Sequence, residues 1–187
     1  NENLSRIEIG LSRLILRQFN ALEEWILDWK NSGIGSDSAL ASFLESEIDQ
    51  VVEASETETS PEEIGISSVE IPVVDMAVTD NYYSALLAFL WALESGNRNL
   101  VETAIRQIDT SLGACAELNM VPQWWILRLT KHLLDDLWDS SFHEVLPSDP
   151  SPEDDGEWVR LRKLYISSLF KRRKAEIELW PSQIEGA

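Results

Sequence analysis

Gln183 is the side chain in this sequence with the most specific chemistry on offer. It stands in the run Leu179-Trp180-Pro181-Ser182-Gln183-Ile184-Glu185-Gly186-Ala187. Pro181 biases Trp180 towards an extended backbone and suits the first position of a helix, so Gln183 is held near a helix start with its amide outward. A carboxamide offers a donor and an acceptor side by side, the complement of adenine N7 and N6. A glutamine fixed by a proline turn can therefore read adenine. Leu179 and Trp180 are worth about 1.5–3 kcal/mol each when fully buried, and they need a surface to pack on. A domain rarely ends on the first turn of a helix, so Ala187 is expected to be a cut point with the chemistry beyond it.

At these residues the chain resembles a family. Leu179-Trp180-Pro181-Ser182-Gln183-Ile184-Glu185 looks like the Leu-aromatic-Pro-x-Gln-x-Glu signature of superfamily-two helicases, the Ski2-like and DEAD/DEAH-box types in particular. The lead-in from Ile166 to Glu178 resembles that of large bacterial helicases, including those of phage-defence systems. The resemblance implies a helical N-terminal region ahead of a motor domain whose Walker A strand and P-loop follow the signature. It implies that Gln183 recognises the adenine of ATP, with Trp180 and Pro181 holding it in place. ATP and Mg are then cofactors of the parent polypeptide, while this chain itself holds none. Gly186 stands where the signature often has Ala.

A run of cations is the second chemical feature. From Trp158 to Ala175 stand Arg160, Arg162, Lys163, Lys171, Arg172, Arg173 and Lys174, without one acid. Along one helix they can contact the phosphates of DNA or RNA, dock on the chain's own acidic half or a following domain, or form a solvated face. The sequence leaves all three open. Trp158 and Tyr165 fall on the apolar side of that helix and are expected in the core rather than as base-stacking platforms. His132, Asp135 and Asp136, with His143, have residue types that bind metals, but a surface histidine beside carboxylates is the expected reading and no metal site is assigned. Cys115 lies on an apolar helix face and is expected in the core. Trp124 and Trp125 point about 100° apart on a helix, leaving the outer ring for a neighbouring helix or a protein partner.

The chain contains no Gly-x-x-x-x-Gly-Lys-Ser/Thr, no Gly-x-Ser-x-Gly and no paired cysteines. It is expected to be catalytically silent by itself. Its 187 residues are 44% hydrophobic with eight tryptophans, which argues for a folded, well-packed chain. The net charge of −18 repels nucleic acid on average, but it is unevenly spread. No Lys or Arg occurs between Lys30 and Arg98, and the acidic tract 45–63 reads as a solvated linker rather than a nucleic-acid mimic. The single cysteine rules out an internal disulfide and fits a reducing, cytoplasmic setting. No apolar run approaches the ~20 residues of a membrane span, and no signal-peptide pattern is present.

The elements that position these residues read as helices throughout. Apolar residues at three- and four-residue steps predict one long helix from Leu4 to Trp29, ended by Gly33 and Gly35. A second, capped at Ser36 or Asp37 and running through Leu40, Phe43, Ile48 and Val52, is expected to pair with it as a hairpin. Ala54 to Thr59 reads as a linker, Ser60-Pro61-Glu62-Glu63 as a short helix start, and Ile64 to Val74 as an extended strap. Helices are expected over 81–95, from an Asn97 or Asn99 cap to a left-handed Asn119, and from Pro122 through Trp138. Leu146 to Gly156, with three prolines and four acids, is the expected boundary loop. Ser151-Pro152 is expected to nucleate the basic helix, with Trp158, Leu161, Leu164, Tyr165, Leu169 and Phe170 facing inward.

The expected fold is all-α, about six helices packed as antiparallel hairpins with an irregular acidic segment near 54–78. Its expected divisions are a hairpin over 1–53, a strap over 54–78, a bundle over 79–146, a loop over 147–156, and a basic helix leading to the motor over 157–187. The expected function is that of an N-terminal accessory region of an ATP-dependent superfamily-two helicase. Its partners are then the motor domain of the same polypeptide, and DNA, RNA or a protein. The alternative is a freestanding acidic helical scaffold for protein interaction, loosely similar to tetratricopeptide pairs.

Overall fold

A computed structural model describes residues 2–31, 70–146, 156–176 and 178. Among them it is all-α, as the periodicity predicts, with seven helices and no strand. These are α1 (Glu2–Ile15), α2 (Phe19–Asn31), α3 (Glu70–Ser95), α4 (Arg98–Glu117), α5 (Val121–Asp139), the single turn α6 (Phe142–Val145) and α7 (Glu157–Phe170).

The core is built around α3. Val78, Tyr82, Tyr83, Leu86, Phe89, Leu90 and Leu93 are buried together with Ala85 and Ala92, so this helix is apolar on nearly every side. Such a helix is stable only when surrounded. α1, α2, α4, α5 and α7 all pack against it, and residues 2–31 share one core with residues 70–146. The tightest approach is between α1 and α3. A Cβ added at Gly10 would lie 2.9 Å from Tyr82 Cε1 and 3.3 Å from Leu86 Cδ1, so glycine lets the two backbones meet. Below the Tyr82 hydroxyl, Thr130 Oγ1 of α5 sits 3.4 Å away. A polar knot joins the same three helices, where buried Asp75 accepts from Asn3 Nδ2 at 3.1 Å and from Gln123 Nε2 at 3.0 Å.

Two helices differ from their sequence expectations. The helix expected from Leu4 to Trp29 is broken, because Arg17 adopts a left-handed backbone with φ of +57°. Gln18 N–H donates to the Arg13 carbonyl and Arg17 N–H to that of Leu14, both at 3.0 Å, the six-to-one and five-to-two bonds of a Schellman ending. The strap expected over Ile64–Val74 is helical from Glu70 onward. Pro72 is the third residue of α3, where a missing backbone N–H costs nothing. The expected helix over 37–52, the linker and the short helix start fall in 32–69, outside the described residues.

The other helix ends follow their signals. Asn97 caps α4, its side chain accepting from Asn99 N–H at 3.1 Å. Asn119 ends α4 left-handed with φ of +53°, closed by Met120 N–H on the Cys115 carbonyl at 2.8 Å. Pro122 stands in the first turn of α5. At α7, Gly156, with φ of +79°, immediately precedes Glu157, while the Ser151-Pro152 start expected for this helix lies outside the described residues.

Candidate functional site

The break at Arg17 forms an elbow on which the C-terminal run is fastened. Arg17 Nε donates to Glu178 Oε1 at 2.7 Å and Nη2 to Oε2 at 3.0 Å, a two-pronged pair across 161 positions of sequence. Its Nη1 also donates to the Ile15 carbonyl at 3.0 Å, one of the carbonyls left open at the end of α1. The Arg17 carbonyl in turn accepts from Ala175 N–H at 3.0 Å. Asn20 Nδ2 donates to the Lys171 carbonyl at 3.2 Å, and Phe19 stacks on Phe170 with ring centroids 5.6 Å apart. On the opposite side Glu178 forms an antiparallel bridge with buried Ser141. Both Arg17 and Glu178 are about four-fifths shielded, so this planar bidentate pair is screened less than a surface one.

The seven cations from Arg160 to Lys174 do not form one helical face. α7 ends at Phe170, and Lys171 to Lys174 continue as turns. Arg162 is structural, its Nη2 donating to the carbonyls of Phe142, His143 and Leu146 at the end of α6. Lys171 pairs with Glu94 at 3.3 Å, Arg172 with Glu176, and Arg160 lies 3.9 Å from Glu157. Arg173 and Lys174, with Ile15, Leu16 and Gln18, line an open groove of about 330 Å³ beside the elbow. Trp180, Pro181 and Gln183 fall outside the described residues.

The inward face expected for α7 is corrected by the structure. Of the six residues assigned to it, only Leu169 and Phe170 are buried, joined by Ile166. Trp158, Leu161, Leu164 and Tyr165 are exposed. The apolar residues of α7 encircle more of the helix than one contact can cover, and the α2–α3 side takes Ile166, Leu169 and Phe170. Trp125 is 63% exposed beside half-buried Trp124, which divides the pair as the 100° step requires. Cys115 is buried, and burial together with the Asp75 charge pushes its thiol up to about 11. It is therefore a poor nucleophile at neutral pH.

His132 is exposed beside exposed Asp135 and Asp136, as the surface reading expects, while His143 is half-buried. Its ring stacks on Trp138 with centroids 5.6 Å apart and donates through Nε2 to the Leu93 carbonyl at 2.7 Å. Gly96 leaves room for it, since a Cβ there would lie 2.8 Å from His143 Nδ1. Among the described residues no three His, Cys, Asp or Glu side chains are grouped to hold a metal ion. Burial, outweighing the Leu93 bond, lowers the His143 pKa from its ordinary value of 6.5. The unfolded chain therefore takes up this proton first as pH falls, so stability is lost as pH drops through about 6.5 and levels off below the folded pKa. Thermal melts between neutral and mildly acidic pH are expected to show a shallower loss of Tm in His143→Gln than in the native chain. Equal slopes would mean that this histidine does not contribute to acid sensitivity.

Sequence reasoning missed Arg17, Asn20 and Glu178. Nothing in the sequence marks Arg17, because glycine or asparagine is the usual signal for a left-handed helix ending. No model of a known protein family matches the chain, and no curated protein matches it. Among the described residues no helix is long and apolar enough to cross a membrane.

Proposed function

We propose that this chain is the helical accessory region of an ATP-dependent superfamily-two helicase, and that its bundle anchors the adenine-reading segment at Gln183. The observation that carries the reading is the clamp on Glu178, the residue immediately before Leu179-Trp180-Pro181-Ser182-Gln183. A two-pronged pair, a backbone bond at Ala175 and a bridge to Ser141 fix the start of that segment on the bundle. The bundle thus serves as a rigid base, and the motor domain of the same polypeptide is its first partner. Trp180 and Pro181 set the pose of the Gln183 amide, and ATP with Mg binds in the motor rather than in this chain. Arg173 and Lys174, together with Lys163, are the cations open to DNA or RNA phosphates. The cytoplasm is the setting this reading calls for.

The test uses the polypeptide encoded by the reading frame through and beyond Ala187. That frame is expected to continue into a strand and a Gly-Lys-Thr loop. In the encoded protein, Gln183→Ala is expected to weaken ATP binding by about tenfold, the scale of one lost bidentate base contact, with GTP binding unchanged. An unaltered preference for ATP over GTP would overturn the role of Gln183. A stop codon directly after Ala187 would favour the second reading, a helical scaffold for protein interaction. The exposed stripe Val121, Trp125 and Leu129, at four-residue steps on the solvent side of α5, supports that alternative.

A further inference from the structure

The antiparallel helices α4 and α5 leave between them an open groove of about 450 Å³, within the ~300–1,000 Å³ of small-molecule clefts. Its apolar lining is Val101 and Ile105 of α4 and Trp138 of α5, whose Nε1 is already committed to Glu144 at 2.8 Å. Two ties bracket the groove. At one end Lys131 of α5 donates to both carboxylate oxygens of Asp109 on α4, at 2.6 and 2.7 Å. At the other, Arg98 of α4 reaches Glu144 of α6 at 3.4 Å. Between the ties, Arg98 and Arg106 line the α4 wall with Glu102 between them, while Asp135 and Asp139 line the α5 wall. In the register set by Lys131 and Asp109, Arg106 stands level with Asp135, one turn further along each helix. Yet Arg106 folds back on α4, its Nη2 donating to Thr103 Oγ1 at 3.3 Å and its Nε to the Glu102 carbonyl at 3.4 Å. Among the described residues neither Asp135 nor Asp139 pairs with Arg98 or Arg106. Partial desolvation raises the Asp135 carboxyl above its ordinary value; Lys131 and His132 pull it down, and Asp139 and Asp136 push it up. The α5 wall thus calls for a cation that α4 does not supply.

We propose that this groove binds a small zwitterion, an α-amino acid with an apolar side chain. Its ammonium sits between Asp135 and Asp139, its carboxylate on Arg106, and its side chain on Val101, Ile105 and Trp138. The site is separate from Gln183 and stands whether or not that residue reads adenine. The mixture of charges selects the ligand. An anion alone would meet Glu102, Asp135 and Asp139, and a polyamine would meet Arg98 and Arg106. A molecule carrying both charges satisfies the two walls at once. Arg106 then exchanges its bonds to neutral acceptors for a carboxylate, which a guanidinium holds by two parallel and stronger bonds.

The probes are L-leucine and L-phenylalanine, with their N-acetyl and amide forms as controls, titrated into the native chain and followed by amide chemical shifts. The free amino acids are expected to bind with a Kd of about 1 mM or tighter and to move the amides of Ile105, Asp135 and Asp139. N-acetylation removes the ammonium and amidation removes the carboxylate. Each is expected to weaken binding about tenfold, the scale of one lost hydrogen bond to a charged group. Asp135→Asn is expected to weaken the free amino acid about tenfold and to erase most of its advantage over the N-acetyl form. Arg106→Gln is expected to do the same relative to the amide form. Both side chains are exposed, so both variants are expected to melt with the native chain. No binding of either amino acid at about 10 mM would overturn the proposal. So would shifts confined to other helices, equal binding of the free and capped forms, or affinities that neither variant changes.

Discussion

Gly10→Val is expected to destabilise the bundle by about 2–3 kcal/mol, because the new side chain enters space already held by a ring that cannot move aside. Tyr82 is fully buried, its ring lies tilted beside that of Tyr83, and its hydroxyl sits near Thr130. Tyr82→Ala alone is expected to cost about 3–5 kcal/mol, through lost burial and the cavity left at the centre of three helices. At this chain length each kcal/mol lowers Tm by about 2–4 °C, so both variants should melt visibly earlier than the native chain. The double variant carries the sharper information. If the Gly10–Tyr82 approach sets the spacing of α1 and α3, the alanine opens room for the valine, and the combined loss falls short of the sum. Strict additivity in thermal melts would mean that the two residues do not compete for one space.

Arg17 should separate two energies at one position. Arg17→Ala removes the bidentate pair with Glu178 and the bond to the Ile15 carbonyl, yet keeps a Cβ in the left-handed conformation. The expected loss is about 2 kcal/mol, in the range for hydrogen bonds that involve a charged group. Arg17→Gly loses the same contacts, but relieves about 1 kcal/mol of left-handed backbone strain. The glycine variant is therefore expected to be the more stable of the two by chemical denaturation. Both are expected to release the Ala175–Glu178 run, read as faster amide exchange at Ala175. An Ala175 amide protected as well as in the native chain would show that the elbow does not hold the C-terminal run.

The sequence was most legible where local chemistry and packing agree. Asn97, Asn119 and Pro122 act at helix ends through their own side chains or φ preferences, and the boundaries of α4 and α5 follow them. The apolar residues of 82–93 also announced a helix over 81–95, though not its place at the centre of the bundle. Legibility failed where tertiary contacts override local preference. Arg17 bends the chain because Glu178, distant in sequence, rewards a conformation that arginine does not favour. The start of α3 was obscured by Pro72, which is as compatible with a first helical turn as with an extended strap. On α7 the apolar residues were plain, but periodicity cannot say which of two apolar faces the bundle covers. The chemical reading of Gln183 rests on a local motif, and the clamp that supports it was invisible before the fold.

The central claim is the proposal that the helical bundle holds, through Arg17 and Glu178, a segment that reads adenine. Its most direct test is the ATP affinity of the protein encoded by the full reading frame through Ala187, carrying Arg17→Ala, Glu178→Ala, or both. The account predicts that each single change weakens ATP binding several-fold, with GTP unaffected and the double variant no worse than the weaker single. ATP affinities indistinguishable from native in all three would contradict it.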